Sequence, residues 1–507
     1  MADPYYITTA ISYPNGRPHI GHAYEAIAAD AIARYHRQDG RDVRFQTGTD
    51  EHGLKMVQTA RDRGVETRAL ADEMSGYFKV MDDRLNISYD RFIRTVEPDH
   101  HAASQAIWRA MADAGDLYLD RYEGWYSVRD EAFYDEKELV EGEGGAKLSP
   151  QGTPVEWTAE ETWFFRLSKY QQPLLDHYAA NPDFIRPDAR RNEILRFVEG
   201  GLSDLSVSRT SFDWGVPVPG SPGHVMYVWV DALTNYLTGV GYPDALDRYW
   251  PADLHLIGKD IVRFHTVYWP AFLMSAKIAL PRRVFGHGFL LNRGEKMSKS
   301  VGNVTDPIEL VDRFGVDPLR YFLLREVSFG QDGSYSEEAI VTRCNADLAN
   351  NLGNLAQRCL SIIAKNGAAV PEAGEATAAE EALVESVRVA EAGMRAAMTD
   401  LALHTALEAI WGAARDANQY FADQAPWSVR KTDPARADTI LYYAAEAVRR
   451  IAIMARWAIP ESADKLLDLL GQGTGARNFD ALNRPIASGT SLSAPSGVFP
   501  RLEMEAA

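Results

Sequence analysis

A chain of 507 residues is too long for one hydrophobic core and implies about two to four domains. Its 46% hydrophobic and 24% charged content is that of a globular protein, with no apolar run long enough to cross a bilayer, so no membrane partner is expected. A net charge of −18 weighs against a nucleic-acid partner, although one basic or aromatic face is enough to read a structured RNA.

The N-terminus, Met1-Ala2-Asp3-Pro4-Tyr5-Tyr6, has neither the basic region nor the apolar stretch of a signal peptide, and a cytoplasmic location is expected. Residues 5–11 (YYITTAI) predict a short buried strand, followed by a turn at Pro14-Asn15-Gly16. Tyr24, Ile27, Ala28, Ala31, Ile32 and Tyr35 recur at helical spacing, and Gly40 sits where that helix would stop. Residues 43–47 (VRFQT) predict the next strand. Strand, loop, helix and strand in this order open a parallel, doubly wound sheet. The aromatic, glycine and turn residues of 122–157 predict an inserted β-rich module. Alternation resumes near Val225 and continues through 254–258 (LHLIG) and 284–291 (VFGHGFLL). From about 336 the pattern is almost wholly helical, with a loop at 367–374, and the C-terminal stretch reads as an irregular tail. Cys344 and Cys359 fall on one predicted helix, ~22 Å apart at 1.5 Å per residue. That is beyond disulfide reach, and two cysteines are too few for a Cys-based zinc site.

Two motifs carry chemistry. His19-Ile20-Gly21-His22 lies between the first strand and first helix, where a doubly wound sheet presents ligands. The helix start offers N–H groups and partial positive charge to phosphate, Gly21 permits close approach, and histidines at i and i+3 share a face. The same letters are also compatible with a turn carrying surface histidines, or with an HxxH zinc site, for which no third ligand is evident. Lys296-Met297-Ser298-Lys299-Ser300, flanked by Gly294 and Gly302, suits a mobile clamp on a triphosphate, its ammonium groups following charge onto a leaving pyrophosphate. By itself that run is equally a solvated loop.

Together and in this order the motifs resemble those of class I aminoacyl-tRNA synthetases. The resemblance implies that His19 and His22 bind ATP phosphates and stabilise the transition state, that Lys299 with Lys296 assists pyrophosphate departure, and that Met297 and Ser298 belong to the same clamp. It also implies that Gly258 and Asp260, in Ile257-Gly258-Lys259-Asp260, hold the ATP ribose, and that Mg²⁺ accompanies the ATP.

Three further stretches are similar to methionyl enzymes in particular: residues 8–13 (TTAISY), 48–53 (GTDEHG) and 227–232 (YVWVDA). Carried over, Asp50 binds the α-ammonium of L-methionine, while Ala10, Ile11 and Tyr13 line the pocket. Trp229, Ala232, Leu233, Tyr236, Ile261 and His265 surround the thioether chain. Leu233 stands where the family commonly has proline. Arg209 matches a family arginine near the reacting groups, and Glu25 a pocket-side carboxylate. Sulfur packs favourably beside aromatic rings, and one or two polar hydrogens near it would reject leucine and isoleucine. Read alone, Trp229 and Tyr236 are also ordinary core residues. The inserted module is too short for the editing domain of leucyl, isoleucyl and valyl enzymes. It also departs from many methionyl enzymes: Tyr126-Ser127-Val128-Arg129-Asp130-Glu131-Ala132-Phe133 replaces a Cys-x-x-Cys knuckle whose second half falls near Ser149-Pro150-Gln151-Gly152. No zinc is expected.

In the helical region Asn350, Asn354 and Arg358 stand at i, i+4 and i+8, placing two amides and a guanidinium on one face. Pro426-Trp427 offers a ring able to stack on an unpaired base. Without the resemblance these read as surface polar groups and a core tryptophan; with it they resemble the reader of the CAU anticodon of tRNA(Met), initiator and elongator alike. The implied plan is an α/β, doubly wound, Rossmann-like catalytic domain in two halves (1–114 and 214–290) around a connective module (115–213). A KMSKS loop and stem-contact region (291–335), an α-helical anticodon-binding bundle (336–475) and a tail (476–507) follow. The C-terminal dimer-forming extension frequent in the family is missing, so a monomer is expected. The rival readings are another HxGH-type nucleotidylyltransferase and a catalytically silent tRNA-binding paralogue.

Overall fold

A computed structural model describes residues 2–127, 132–246, 248–296 and 304–504. Six parallel strands form the central sheet: β1 (Pro4–Thr9), β2 (Asp42–Thr49), β3 (Arg91–Arg94), β4 (Ile185–Arg186), β5 (Leu254–Gly258) and β6 (Val284–His287), in the order β3-β2-β1-β5-β6-β4. In β1 Tyr5 through Thr9 are all buried, as expected for a strand covered on both faces. Ile7 pairs with Phe45 on one side and Leu254 on the other, so the strand order reverses at β1 and opens a crevice at its carboxyl end. The helix α1 (Ile20–Gln38) leaves that crevice and buries Tyr24, Ile27, Ala28, Ala31, Ile32 and Tyr35, the residues whose spacing predicted it. Asp39 caps it, and Gly40 turns the chain at φ 82°. The helix α2 (Val228–Thr238) precedes β5 and is buried at nearly every position.

The β-rich stretch expected over 122–157 is present, and the rest of the 115–213 module adds helices to it. Leu117–Ser127, Ala132–Tyr134, Glu156–Phe165 and Leu205–Ser206 form a four-stranded antiparallel sheet. Between its last two strands lie helices Gln171–Ala180 and Asp188–Glu199, whose Leu174, Tyr178, Ile194 and Val198 are buried at i, i+4 spacing. Between those helices β4 returns to the parallel sheet, pairing Ile185 with Val284. The strand expected over 284–291 also breaks. Gly288 lies so close to Gln331 that a Cβ there would stand 2.2 Å from its backbone. Beyond it Leu290–Asn292 joins a separate small sheet with Glu295–Lys296 and Gly333–Tyr335.

Ser336 caps the first bundle helix, α3 (Glu337–Cys344). It continues without interruption through a π-helical stretch, Asn345–Gly353, into α4 (Asn354–Lys365). The expectation of one helix across both cysteines therefore holds, with a wider turn in its middle. Helices α5 (Ala378–Thr399), α6 (Leu403–Gln424), α7 (Pro434–Ala455) and α8 (Pro460–Leu469) complete the bundle. The C-terminal stretch is irregular but not loose: Phe479, Leu482, Ile486 and Leu502 are buried against it. One hydrophobic core runs from β1 and α1 into the bundle. Within it the fully buried Asp30 of α1 pairs with Arg320 at 2.6 Å, and Arg320 donates onward to the Ala458 carbonyl.

Candidate active site

The crevice at the end of β1 and β5 holds a cavity of about 580 Å³, a size suited to a small substrate and a nucleotide together. Ala10, Ile11, Tyr13, His19, Gly21, His22, Glu25, Asp50, Trp229, Ala232, Leu233, Tyr236, Gly258, Asp260, Ile261 and His265 all line it. Residues from five separate stretches of chain thus meet where the strand order reverses.

His19 caps α1, and its Nδ1 accepts from the Gly21 N–H at 3.1 Å. His22 Nδ1 in turn accepts from the His19 N–H at 3.1 Å. With both Nδ1 atoms acting as acceptors, each neutral imidazole carries its proton on Nε2, a donor suited to phosphate oxygens. The expected free N–H groups at the helix start are not there: Gly21 donates to His19, the His22 N–H to the His19 carbonyl, and the Ile20 N–H to the Thr305 carbonyl at 3.1 Å. The His19 side chain and the His19 and Thr305 carbonyls consume them, leaving the helix dipole and the rings to face an anion. Thr305 also places the chain just beyond the lysine-rich motif against the start of α1. Met297, Ser298 and Lys299 lie outside the described residues; Lys296 ends the strand Glu295–Lys296, paired with Leu291.

Trp229 stacks on Phe264 with centroids 3.8 Å apart and planes 5° from parallel. His265 Nδ1–H donates to the Ile261 carbonyl at 3.0 Å, so its Nε2 accepts the Tyr236 hydroxyl proton at 2.7 Å. Burial pulls the His265 imidazole down to about 4, only partly offset by that carbonyl, and it is neutral at physiological pH. The Tyr236 hydroxyl proton is therefore committed to His265. Asp50 is 8% exposed, on a loop whose backbone is tied to the segment just after β1 by Asp50 N–H to the Ser12 carbonyl at 2.9 Å. Beside it the buried Glu51 carboxylate takes two 2.7 Å bonds from Arg94. A Cβ on Gly258 would stand 2.7 Å from Asp260 Oδ1, so only glycine lets that carboxylate fold back beneath the strand end.

Glu25 meets a residue the motifs did not flag: its Oε2 lies 2.7 Å from His287 Nε2. Burial raises the Glu25 carboxyl, opposed by His287. For His287 burial lowers the imidazole, but the Glu25 hydrogen bond and charge and the Gly288 carbonyl outweigh it and raise it overall. Asn15 and Arg17, between the TTAISY stretch and the histidine motif, and Lys55, two residues after the GTDEHG stretch, also line the cavity. Arg209 is not among the lining residues. It is 2% exposed, donates to Ser206 Oγ and the Ser208 carbonyl, and lies 4.6 Å from the Tyr227 ring centroid.

At the module's tip, hydroxyls stand near the knuckle positions. Ser127 and Ser149 each contact Thr153 Oγ1, at 2.6 and 2.8 Å, and all three residues are buried. In the bundle, Asn350 and Asn354 are exposed and Arg358 is half-buried. α6 ends at Ala425, whose left-handed backbone (φ 38°) reverses the chain into Pro426–Val429. Pro426 is buried, whereas Trp427 is 43% exposed, its ring 4.8 Å from the Arg358 guanidinium and 5.7 Å from Phe421.

A parallel sheet of this order, a histidine pair at the first helix, a lysine-rich sequence followed by Thr305 bonded to the start of that helix, and an appended helical bundle define a class I aminoacyl-tRNA synthetase. The family described as "tRNA synthetases class I (M)" matches residues 5–360, and "Anticodon binding domain of methionyl tRNA ligase" matches residues 370–507. The chain belongs to the methionine–tRNA ligase family. It is 61% identical over 504 residues to the methionine–tRNA ligase of Brucella suis biovar 1, covering 98% of both chains. It is 60% identical over 509 residues to that of Mycobacterium tuberculosis strain H37Rv, covering 99% of this chain and 98% of the relative. Among solved structures, the M. tuberculosis methionyl-tRNA synthetase in complex with methionyl-adenylate superposes with a TM-score of 0.96 at 60% identity, covering 98% of this chain and all of that one. The apo form of that enzyme gives 0.91 at 57% identity, covering 99% of each chain.

Proposed function

We propose that this chain activates L-methionine with ATP and transfers it to the 3′ end of tRNA(Met), initiator and elongator, acting as a cytoplasmic monomer. The observation that carries the reading is a single cavity joining an aromatic slot, a buried carboxylate and the His19–His22 pair. Methionine enters with its ammonium on Asp50 and its thioether between Trp229, Ala232, Leu233, Tyr236, Ile261 and His265. Its carboxylate attacks the α-phosphorus of ATP in line, and pyrophosphate leaves. The His19 and His22 Nε2–H groups stabilise charge on the phosphate oxygens as it develops, and Lys296 and Lys299 meet the departing pyrophosphate. Asp260 accepts the ribose hydroxyls, and Mg²⁺ arrives as part of the ATP substrate. The terminal ribose hydroxyl of the tRNA then attacks the methionyl carbonyl and releases AMP. Arg209 acts through the Tyr227 stretch that leads into α2, from behind the cavity wall. The anticodon docks on Asn350, Asn354, Arg358 and Trp427.

His22→Asn tests this directly. The asparagine Oδ1 takes over the Nδ1 acceptor role toward the His19 N–H while the Nε2–H donor disappears. Methionine-dependent pyrophosphate exchange should fall by roughly two to three orders of magnitude, the scale of one lost transition-state donor. Exchange at the parental rate would remove the pair from catalysis.

A further inference from the structure

Two residues of the methionyl-like stretches, His52 and Asp231, do not line the cavity, yet they meet each other in the interior. Asp231 is fully buried, one residue before Ala232 and two after Trp229 on α2. Its Oδ2 lies 2.6 Å from His52 Nδ1, and its Oδ1 2.7 Å from His100 Nε2. His52 is 3% exposed and stands two residues after Asp50. His100, fully buried in the helix Pro98–Asp113, reaches back to α2 a second time through Nδ1 and Thr238 Oγ1 at 3.0 Å. The group thus ties three elements together: the loop that carries Asp50, the helix that carries the thioether wall, and a third helix outside both.

A carboxylate enclosed this completely is stable only when both oxygens are paired. The ring edges of Trp214 and His101, with centroids 5.7 and 5.4 Å from that of His52, close the remaining side. Replacing a buried pair of this kind by apolar residues of similar volume is often neutral for stability. What a hydrogen-bonded network adds is a defined distance and angle. A ligand that puts its ammonium on one element and its side chain on another needs the spacing between them held, since misplacement by about 1 Å costs on the order of a hundredfold.

We propose that His52, Asp231 and His100 are positioning residues that hold the ammonium-binding loop and the thioether-binding helix in register for methionine. The inference rests on the reading of Asp50 and α2 as the two walls of the amino-acid pocket. It predicts a loss specific to methionine, because the ATP-facing residues on α1 and β5 are not tied to the network.

The test is pyrophosphate exchange with KM measured separately for methionine and ATP, alongside thermal unfolding, for Asp231→Asn, His52→Asn, His52→Ala and Asp50→Asn. Asp231→Asn should raise KM for methionine tenfold or more and leave KM for ATP within twofold. His52→Asn, whose amide nitrogen takes the place of Nδ1, should keep most of the methionine affinity that His52→Ala loses at comparable melting temperature. If Asp231→Asn fails to fold, the two His52 variants decide alone. Unchanged KM for methionine in the folded Asp231 or His52→Ala variant, with Asp50→Asn impaired, overturns the positioning role and leaves the pocket reading intact. So does a parallel rise of both KM values with a lowered melting point and no advantage of asparagine over alanine. An Asp50→Asn enzyme with parental KM for methionine would overturn the pocket reading and this inference with it.

Discussion

Replacing Trp427 by alanine should separate the two halves of the reaction. The Arg358 guanidinium lies over the ring at 4.8 Å and Phe421 is tilted against it at 5.7 Å, while 43% exposure leaves ring surface available to a base. Its removal forfeits a cation–π contact worth about 0.5–1 kcal/mol at an exposed site, a small loss for the bundle. Stacking of an anticodon base on the ring is worth about 1–3 kcal/mol. At about 1.4 kcal/mol per decade the middle of that range already means tenfold or more in tRNA affinity. Misplacement of the acceptor end adds to it. Charging of tRNA(Met) should therefore fall tenfold or more while methionine-dependent pyrophosphate exchange, made by the catalytic domain without tRNA, stays near the parental rate. The melting temperature should move little. Equal loss of both activities, or normal charging with a lowered melting point, would make Trp427 structural and refute the anticodon assignment.

Two further outcomes are expected. Purified protein should carry no stoichiometric zinc by elemental analysis, and chelators should leave exchange intact, because Ser127, Ser149 and Thr153 join by hydroxyl contacts at the module's tip and no thiolate stands at the knuckle positions. His265, held down to about 4 against an ordinary 6.5, contributes stability that is complete above pH 6.5 and is lost as pH falls toward 4. Between pH 6.5 and 5 that amounts to about 2 kcal/mol, and denaturant titrations should show a correspondingly smaller acid loss in His265→Gln. An equal acid loss in both proteins would contradict the assignment.

What the sequence revealed and what it hid follow from the range of the interactions. α1 was legible because its buried positions repeat at the helical period and Gly40 marks its end. β5 was legible as a short, mostly apolar run, Leu254-His255-Leu256-Ile257-Gly258. β4 was not: two residues bonded to a strand a hundred positions away leave no local pattern, and the helices flanking it were masked by the aromatic texture of the ribbon before them. The histidine motif and the methionyl-like stretches converge on one cavity because each ends a strand or begins a helix at the same edge of the sheet. His287 was missed because its role exists only through Glu25, which is 262 residues away in sequence. Arg209 was carried over by resemblance alone, and its distance from the cavity lining is a property of the fold that residue types do not encode. The consumed N–H groups at α1 show a similar limit: spacing placed both histidines on one face but not their Nδ1 atoms on the backbone.

In the proposed function the cavity at the end of β1 selects methionine and joins it to ATP. Pyrophosphate exchange measured with each of the twenty amino acids in turn tests reaction type and substrate in one experiment. The account predicts exchange with methionine and none of comparable rate with leucine, isoleucine, valine or cysteine. Exchange independent of any amino acid, or driven best by an amino acid other than methionine, would contradict it.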